Sequence, residues 1–389
     1  MPSLRLIATA AFGLEAVVAR ELDSLGYTDH QTEDGRVTFA ADTLAIARTN
    51  LWLRSADRVL LEVARFPATD FGQLFDHTHA LPWEDWISED AAFPIRGKAV
   101  KSRLMSVPDA QALVKKAIVE RLKSRYHCSW FAERGAAVPI EVSIVRDQVT
   151  LAIDTSGPGL HKRGYREGIT TAPLKETLAA ALVQLSYWKP GRALIDPFCG
   201  SGTIPIEAAL LGRDMAPGLQ REFAAESFPW IGPEPWKQAR DEARDRARPG
   251  LGERIIATDA DRRALGQARK HAVLAGVADD IHFQQETVRN LRTPDQYGCV
   301  ICNPPYGVRL GEYGEVERVY ADMATAFAPL ETWSIYVLTT HPRLEALLDR
   351  KATRRRKLYN GGIECTYYQF VGPRPPVRQE ASVKPCPED

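Results

Sequence analysis

Asn303-Pro304-Pro305-Tyr306 follows the apolar run Cys299-Val300-Ile301-Cys302, and about a hundred residues upstream lies Asp196-Pro197-Phe198-Cys199-Gly200-Ser201-Gly202-Thr203. An asparagine side-chain oxygen beside a proline carbonyl can accept both N–H bonds of an exocyclic amine on a flat ring, and a tyrosine can stack on that ring. Such an amine is a weak nucleophile because its lone pair is delocalised. Catalysis on it needs orientation more than a strong base. The upstream element reads as a strand, a glycine turn and a helix. Gly200 and Gly202 remove Cβ atoms where the chain must turn and where a nucleotide-like ligand approaches the backbone. Alone, either motif is ordinary: Asn-Pro-Pro is a good turn after any strand, and G-x-G is a weak signal. Their order in one chain, with Asp259 between them, argues for a site.

A dinucleotide fold is the first rival for the glycine turn. Its third glycine would fall at position 205, which is Pro205, and no acid stands about 20 residues on. Instead Asp259 ends the next candidate strand, 57 residues beyond Gly202. A carboxylate there can accept both hydroxyls of a ribose. Asp261 either contacts the ribose or caps the helix that follows. Glu286, in Gln285-Glu286-Thr287, is a candidate for an adenine amine or an ordinary loop glutamate.

The elements that must hold these residues alternate. Periodicity predicts strands at 4–8, 37–39 and 59–64, with helices at 14–25 and 44–53 between them, as in a small α+β sandwich. A strand-like Ala92-Phe93-Pro94-Ile95, a helix from Val107 and paired strands at 138–145 and 149–153 follow. Ser156-Gly157-Pro158-Gly159 is a natural boundary. Beyond it, a helix from Ala172 to about Tyr187 and strands at 193–196, 255–258, 281–284, 299–302 and 334–338 predict a doubly wound, Rossmann-like α/β sheet closed by a hairpin at 357–370. Residues 212–254, rich in Pro, Trp and charge, interrupt that alternation. The proline-rich tail after Gly372 is expected to be loose.

Composition bounds the class: 389 residues, 44% hydrophobic and 26% charged, describe an ordinary globular protein of two or three domains. No run of about 18 apolar residues marks a membrane span, and the chain opens straight into a strand-like pattern, so a cytoplasmic protein is expected. Six scattered cysteines do not make a disulfide framework. Cys299 and Cys302, three apart on a strand, point to opposite faces, so no metal is expected. Net charge is zero, yet Arg96 to Arg125 holds nine Lys or Arg against two acids, and six of the eight residues from Arg350 to Lys357 are basic. Phosphate-binding faces are local, so Arg96, Lys98, Lys101, Arg103, Lys115 and Lys116, with Lys162, Arg163 and Arg166 near the boundary, are candidates for contact with a nucleic-acid backbone; solvated helix faces are the plain alternative.

Asp196 to Thr203, Asp259 and Asn303 to Tyr306, in this order, resemble the class I S-adenosylmethionine-dependent methyltransferases that modify nucleobase amines. Phe93-Pro94-Ile95-Arg96-Gly97-Lys98, Ser106-Val107-Pro108-Asp109, Asp154-Thr155-Ser156-Gly157 and Leu160-His161-Lys162-Arg163-Gly164-Tyr165-Arg166 resemble the THUMP domain, an RNA-binding module, and the segment that leads from it into the enzyme. The whole chain is similar to THUMP-containing RNA methyltransferases, most of all to the bacterial enzymes forming N2-methylguanosine in large-subunit ribosomal RNA, in the short form without a second, fused methyltransferase domain. The resemblance implies a ferredoxin-like subdomain at 1–56, a THUMP domain at 57–160 and a methyltransferase domain at 161–389 carrying the insertion at about 212–254. It implies that Asp196, Phe198, Gly200, Ser201, Gly202 and Thr203 cradle S-adenosylmethionine with Asp259, Asp261, Glu286, Thr287 and Thr177, and that Asn303, Pro304, Pro305 and Tyr306 hold the base. The usual adenine-amine acid, expected near Thr287, is missing. A transfer-RNA guanine-N2 enzyme, an adenine-N6 enzyme and an RNA-binding protein without activity are the rival readings.

Overall fold

Two seven-stranded sheets, built from separate halves of the chain, carry the molecule in the computed structural model, which describes residues 4–166, 174–305 and 313–376. The first half runs β1 (Leu4–Ala10), α1 (Glu15–Ser24), β2 (His30–Glu33), β3 (Arg36–Ala41), α2 (Thr43–Trp52), β4 (Ala56–Pro67), α3 (Phe71–His79), β5 (Ile95–Val100), α4 (Val107–Tyr126), β6 (Ile140–Val145) and β7 (Gln148–Asp154). Its sheet order is β2-β3-β1-β4-β7-β6-β5. The twelve-residue strand β4 pairs with β1 on one edge and β7 on the other, so one sheet runs without a break across position 56. The strand expected at 92–95 lies further on. Pro94 has no N–H to offer a ladder, and β5 begins after it, parallel to β6, with the Pro94 carbonyl accepting from Ile140 N at 2.9 Å.

All four helices of this half cover one face of its sheet, because the apolar residues recur at helical spacing against it: Val18 and Leu22 from α1, Ile46 from α2, Leu74 from α3, and Val114, Ile118 and Leu122 from α4. Each fully buried aliphatic side chain contributes on the order of 1.5–3 kcal/mol. The other face is open. Among the described residues Ile7, Leu60 and Ala152 form a small apolar cluster there, beside ion pairs such as Lys98–Glu141 at 3.1 Å and Arg5–Glu62 at 3.3 Å.

The second half runs α5 (Glu176–Gln184), β8 (Leu194–Asp196), α6 (Thr203–Gly212), α7 (Glu234–Arg246), β9 (Ile255–Asp259), α8 (Arg262–Leu274), β10 (Ile281–Gln285), β11 (Cys299–Cys302), α9 (Tyr313–Phe327), β12 (Ser334–Thr339), α10 (Leu344–Leu347), β13 (Arg354–Asn360) and β14 (Ile363–Phe370). The sheet order β10-β9-β8-β11-β12-β14-β13 is parallel up to β12, and the antiparallel β13–β14 hairpin closes it. Its central strands β8, β11 and β12 are buried on both faces, as helix-covered strands must be. Cys299 and Ile301 enter one core and Val300 and Cys302 the other. The strand order reverses between β8 and β11, and the carboxyl ends of those two strands carry Asp196 and Asn303. That is the switch point where ligands bind in such sheets.

The insertion between α6 and β9 folds back on the first half: Phe223, Ala225, Phe228, Ile231, Trp236, Ala239 and Ala243 join the core beneath its sheet. Trp236 stacks on Phe223 at 5.4 Å. Arg48 grips Glu242 at 2.7 Å, and the Arg246 guanidinium lies 4.1 Å from the Trp52 ring centroid. The expected looseness of the tail falls, beyond Pro376, outside the described residues.

Candidate active site

The turn after β8 is held from three sides. Gly200 and Gly202 have φ of 51° and 85°, a region where side chains are strained. At Gly202, a Cβ would also stand 3.0 Å from the Ala268 Cβ. Cys199 N donates to Thr258 O at 3.0 Å and Gly202 N to Cys199 O at 2.7 Å. The buried His271 on α8 contacts Ser201 O through Nδ1 at 3.0 Å. Asp259 completes the arrangement, its two oxygens accepting from Gly200 N at 2.8 Å and from Asp261 N at 2.9 Å. These bonds fix the carboxylate and leave its further lone pairs for two hydroxyls.

A cavity of about 550 Å³ opens over this turn, bordered by Asp196, Phe198, Gly200, Ser201, Thr203, Asp259, Glu286, Thr287, Asn303 and Pro305. Eight of the eleven residues expected at the cofactor thus border one cavity. Gly202 shapes the turn from behind as the cap of α6. Three expectations are corrected or resolved. Asp261 accepts from Arg263 N at 2.7 Å and caps α8, outside the cavity. Thr177 faces a separate hollow with Phe12, Asp57 and Tyr359, because α5 turns that side toward the β13–β14 hairpin. Arg163, expected on an RNA surface, is 3% exposed, because its guanidinium is drawn onto the buried Glu207 of α6 at 3.3 Å. Sequence reasoning missed Gln267, Val319 and Asp322, which also border the cavity. They lie on helices whose inward side is set by sheet packing, so no local motif marks them.

Asp196 is buried, and burial pushes its carboxyl well above the ordinary range, with the Asp259 charge adding to the shift and the Phe198 N–H opposing it. A carboxylate penalised in this way fits a site awaiting a cation, such as the ammonium of a methionine moiety. Because the folded-state pKa is raised, the penalty is absent below the unfolded value and fully present once pH rises through the folded one. Asp196→Asn is therefore expected to raise the melting temperature of the ligand-free protein at neutral pH and to weaken S-adenosylhomocysteine binding; melts with and without that ligand check both. Asp259→Ala removes the acceptor for two ribose hydroxyls. It should lower S-adenosylhomocysteine affinity by about 10- to 100-fold in calorimetry, the scale of charge-assisted hydrogen bonds.

Asn303 stands at the end of β11 with Pro304 buried behind it and Pro305 exposed. Its Oδ1 is buried and accepts a hydrogen bond from no described residue. A buried acceptor left open costs roughly 1–3 kcal/mol, a cost that a donor on an incoming substrate removes. Tyr306 lies outside the described residues. Among those described, no group of three His, Cys, Asp or Glu could hold a metal ion, and no helix is long and apolar enough to cross a membrane.

The basic residues divide among several surfaces. Arg96 and Lys98 lie on the open sheet face, paired with Asp154 at 3.8 Å and Glu141 at 3.1 Å. Lys101 and Arg103 follow at its rim, both exposed. Lys116 is exposed on α4, behind the sheet, while Lys115 is half-buried there over the Phe93 ring and bonded to Glu133 at 2.6 Å. Lys162 is exposed at the junction of the two halves. Arg166 is largely enclosed beside it, donating to Thr203 Oγ1 at 2.6 Å and pairing with Glu176 at 3.2 Å.

Comparison with known proteins agrees with this architecture. The sequence profile of the RMKL-like methyltransferase domain matches residues 163–369, that of the THUMP domain 68–154 and that of the RlmL ferredoxin-like domain 5–60. YpsC of Bacillus subtilis, named as a candidate RNA methyltransferase, is 49% identical over 98% of this chain and 99% of its own length. The ribosomal RNA large subunit methyltransferase K/L of Syntrophotalea carbinolica is 36% identical over 94% of this chain, which spans 53% of that longer protein. Among solved structures, a predicted N6-adenine-specific DNA methylase from Listeria monocytogenes superposes with a TM-score of 0.90 at 51% identity, covering 96% of this chain and 97% of that one. SMU.472, a candidate methyltransferase complexed with S-adenosylhomocysteine, gives 0.90 at 43% identity over 96% and 99%. S-adenosylmethionine is the cofactor that this fold and glycine turn serve, and the chain, with a ferredoxin-like and a THUMP domain ahead of its catalytic sheet, belongs to the RMKL-like methyltransferase family.

Proposed function

We propose that this protein, an RNA methyltransferase of that family, methylates the exocyclic N2 of a guanine in large-subunit ribosomal RNA, in the cytoplasm. The observation that carries the reading is the buried Asn303 Oδ1 at the cofactor cavity, which has no partner among the described residues. S-adenosylmethionine supplies a methyl group on a sulfonium and departs as a neutral thioether. Asn303 and the Pro304 carbonyl accept the two N–H bonds of the amine and turn its lone pair toward the cavity. Tyr306 stacks on the base, which arrives unpaired or flipped. Asp259 and Asp196 hold the ribose and methionine ends of the cofactor. The chain divides, in this reading, at about residues 56 and 160, and the THUMP domain holds structured RNA by phosphate and shape contacts.

The names of the relatives diverge on the substrate: ribosomal RNA for one, adenine in DNA for another. An Asn-Pro-Pro-Tyr grip serves guanine N2 and adenine N6 alike, so the THUMP domain favours RNA and the family resemblance favours guanine. Methyl transfer from labelled S-adenosylmethionine to unmodified ribosomal RNA, transfer RNA and duplex DNA, followed by nucleoside analysis, tests the proposal. N2-methylguanosine in ribosomal RNA supports it. The same nucleoside only in transfer RNA replaces the substrate, and N6-methyladenine overturns the base.

A further inference from the structure

The insertion does more than brace the two halves. Its Arg221 crosses the junction segment and donates to the carbonyls of Ser156 at 3.2 Å, Pro158 at 2.6 Å, Gly159 at 2.8 Å and Lys162 at 3.0 Å. Beneath this crossing lies a cleft of about 1300 Å³, bordered among the described residues by 158–166, 175–176 and 219–244. Its charges do not balance. Glu176 is taken by Arg166 and Glu226 by Arg240 at 2.7 Å, and Arg163 is taken by Glu207 behind the wall. Lys162, Lys175 and Arg221 make no ion pair among the described residues, against one unpaired carboxylate in the lining, that of Glu222, although Lys175 also borders the hollow that holds Asp57. The surroundings register this excess. Burial, then Lys175, Lys162, Arg163 and Arg58, push the His161 imidazole down to about 4.

Arg166 links the cleft to the cofactor cavity. Arg166 lines the cleft and donates both to Thr203 Oγ1, in the cavity wall, and to Leu174 O at 3.2 Å. Leu174 borders the cavity, and the next residue, Lys175, borders the cleft. A strand delivering a base to Asn303 brings phosphates with it, and beside the cavity this cleft holds three cations that make no ion pair among the described residues. Two lysines on flexible stems suit a mobile phosphate chain better than a fixed bidentate ligand.

We propose that this cleft, assembled jointly by the insertion and the junction segment, binds the phosphodiester backbone of the unpaired RNA strand whose base enters the cofactor cavity. The inference rests on the RNA reading above. It is tested by the double charge reversal Lys162→Glu and Lys175→Glu in the full chain, with unmodified large-subunit ribosomal RNA as the probe in filter binding across a salt series. Affinity should fall by about tenfold or more, and the slope of log K against log salt should become shallower by about 1–2, the loss of one or two phosphate contacts. Stabilisation by S-adenosylhomocysteine should be unchanged, showing that the variant is folded and its cavity intact. Wild-type affinity and slope in the double variant would overturn the cleft assignment. Loss of the S-adenosylhomocysteine response along with RNA binding would overturn it too, because the two lysines would then serve the cofactor cavity. If the wild-type protein bound ribosomal RNA without salt dependence, the RNA reading itself would fall, and an acidic protein segment would become the better occupant.

Discussion

Replacing Asn303 by alanine is expected to reduce turnover by about a thousandfold, with S-adenosylhomocysteine affinity within about twofold of wild type; single positioned hydrogen-bonding groups in dry sites act on rate at about this scale. The split follows from where the residue stands. Asp259 and the glycine turn are held by hydrogen bonds among residues 199–202 and 258–261, and none of these bonds involves Asn303. Its Oδ1 is buried with no partner among the described residues, so it contributes nothing to the fold that alanine would remove. The variant should therefore melt no lower than wild type and show the loss only in single-turnover methyl transfer. Asn303→Asp keeps an acceptor at the same position and should retain more activity than alanine. Calorimetry with S-adenosylhomocysteine alongside the kinetics decides the matter. A variant that loses cofactor affinity and turnover together would show that Asn303 shapes the cofactor cavity and does not grip the amine.

What was legible in the sequence was local. Cys299 to Pro305 announces a buried strand and a rigid turn because an apolar run and two prolines leave little else, and Gly200-Ser201-Gly202 announces a turn because side chains are strained at those φ values. Asp259 could be placed because it ends a strand, whatever the length of the insertion before it. Non-local pairing was not legible. The period-2 pattern of β4 says which residues point inward but not that its two edges join β1 to β7 in one sheet. Nor does the composition of the insertion reveal that Trp236 stacks on Phe223 within the core of the other half. Gln267 and Asp322 reach the cavity from helices whose rotation is fixed only once the sheet is assembled. Charge misled most. Lys162, Arg163 and Arg166 look alike in sequence, yet the first is exposed, the second buried and the third a partition between two cavities.

Arg163 marks the place where the two halves are locked, and this gives the largest expected effect on stability. Its guanidinium pairs with Glu207 at 3.3 Å, donates to Leu160 O at 2.8 Å and also reaches the Arg54 carbonyl in the first half. Tyr165 Oη donates to the same carboxylate at 3.0 Å, and the Arg54 guanidinium is buried nearby, its pKa lowered by burial while the Glu207 and Glu21 charges oppose that shift. Glu207, itself 0% exposed, thus offsets two buried cations. Glu207→Ala leaves both without it and should cost about 3–5 kcal/mol in denaturant unfolding, the usual price of an uncompensated buried charge. Arg163→Met combined with Glu207→Leu removes charge and countercharge together and should recover much of that loss, since well-packed apolar pairs often replace buried ion pairs at little cost. Arg163→Met alone leaves Glu207 near Arg54 and should fall between the two. RNA affinity in the double variant should match wild type once the protein is folded, because Arg163 offers no surface to a phosphate. A double variant as unstable as Glu207→Ala would show that the carbonyl bonds of Arg163, and not its charge, hold the halves together.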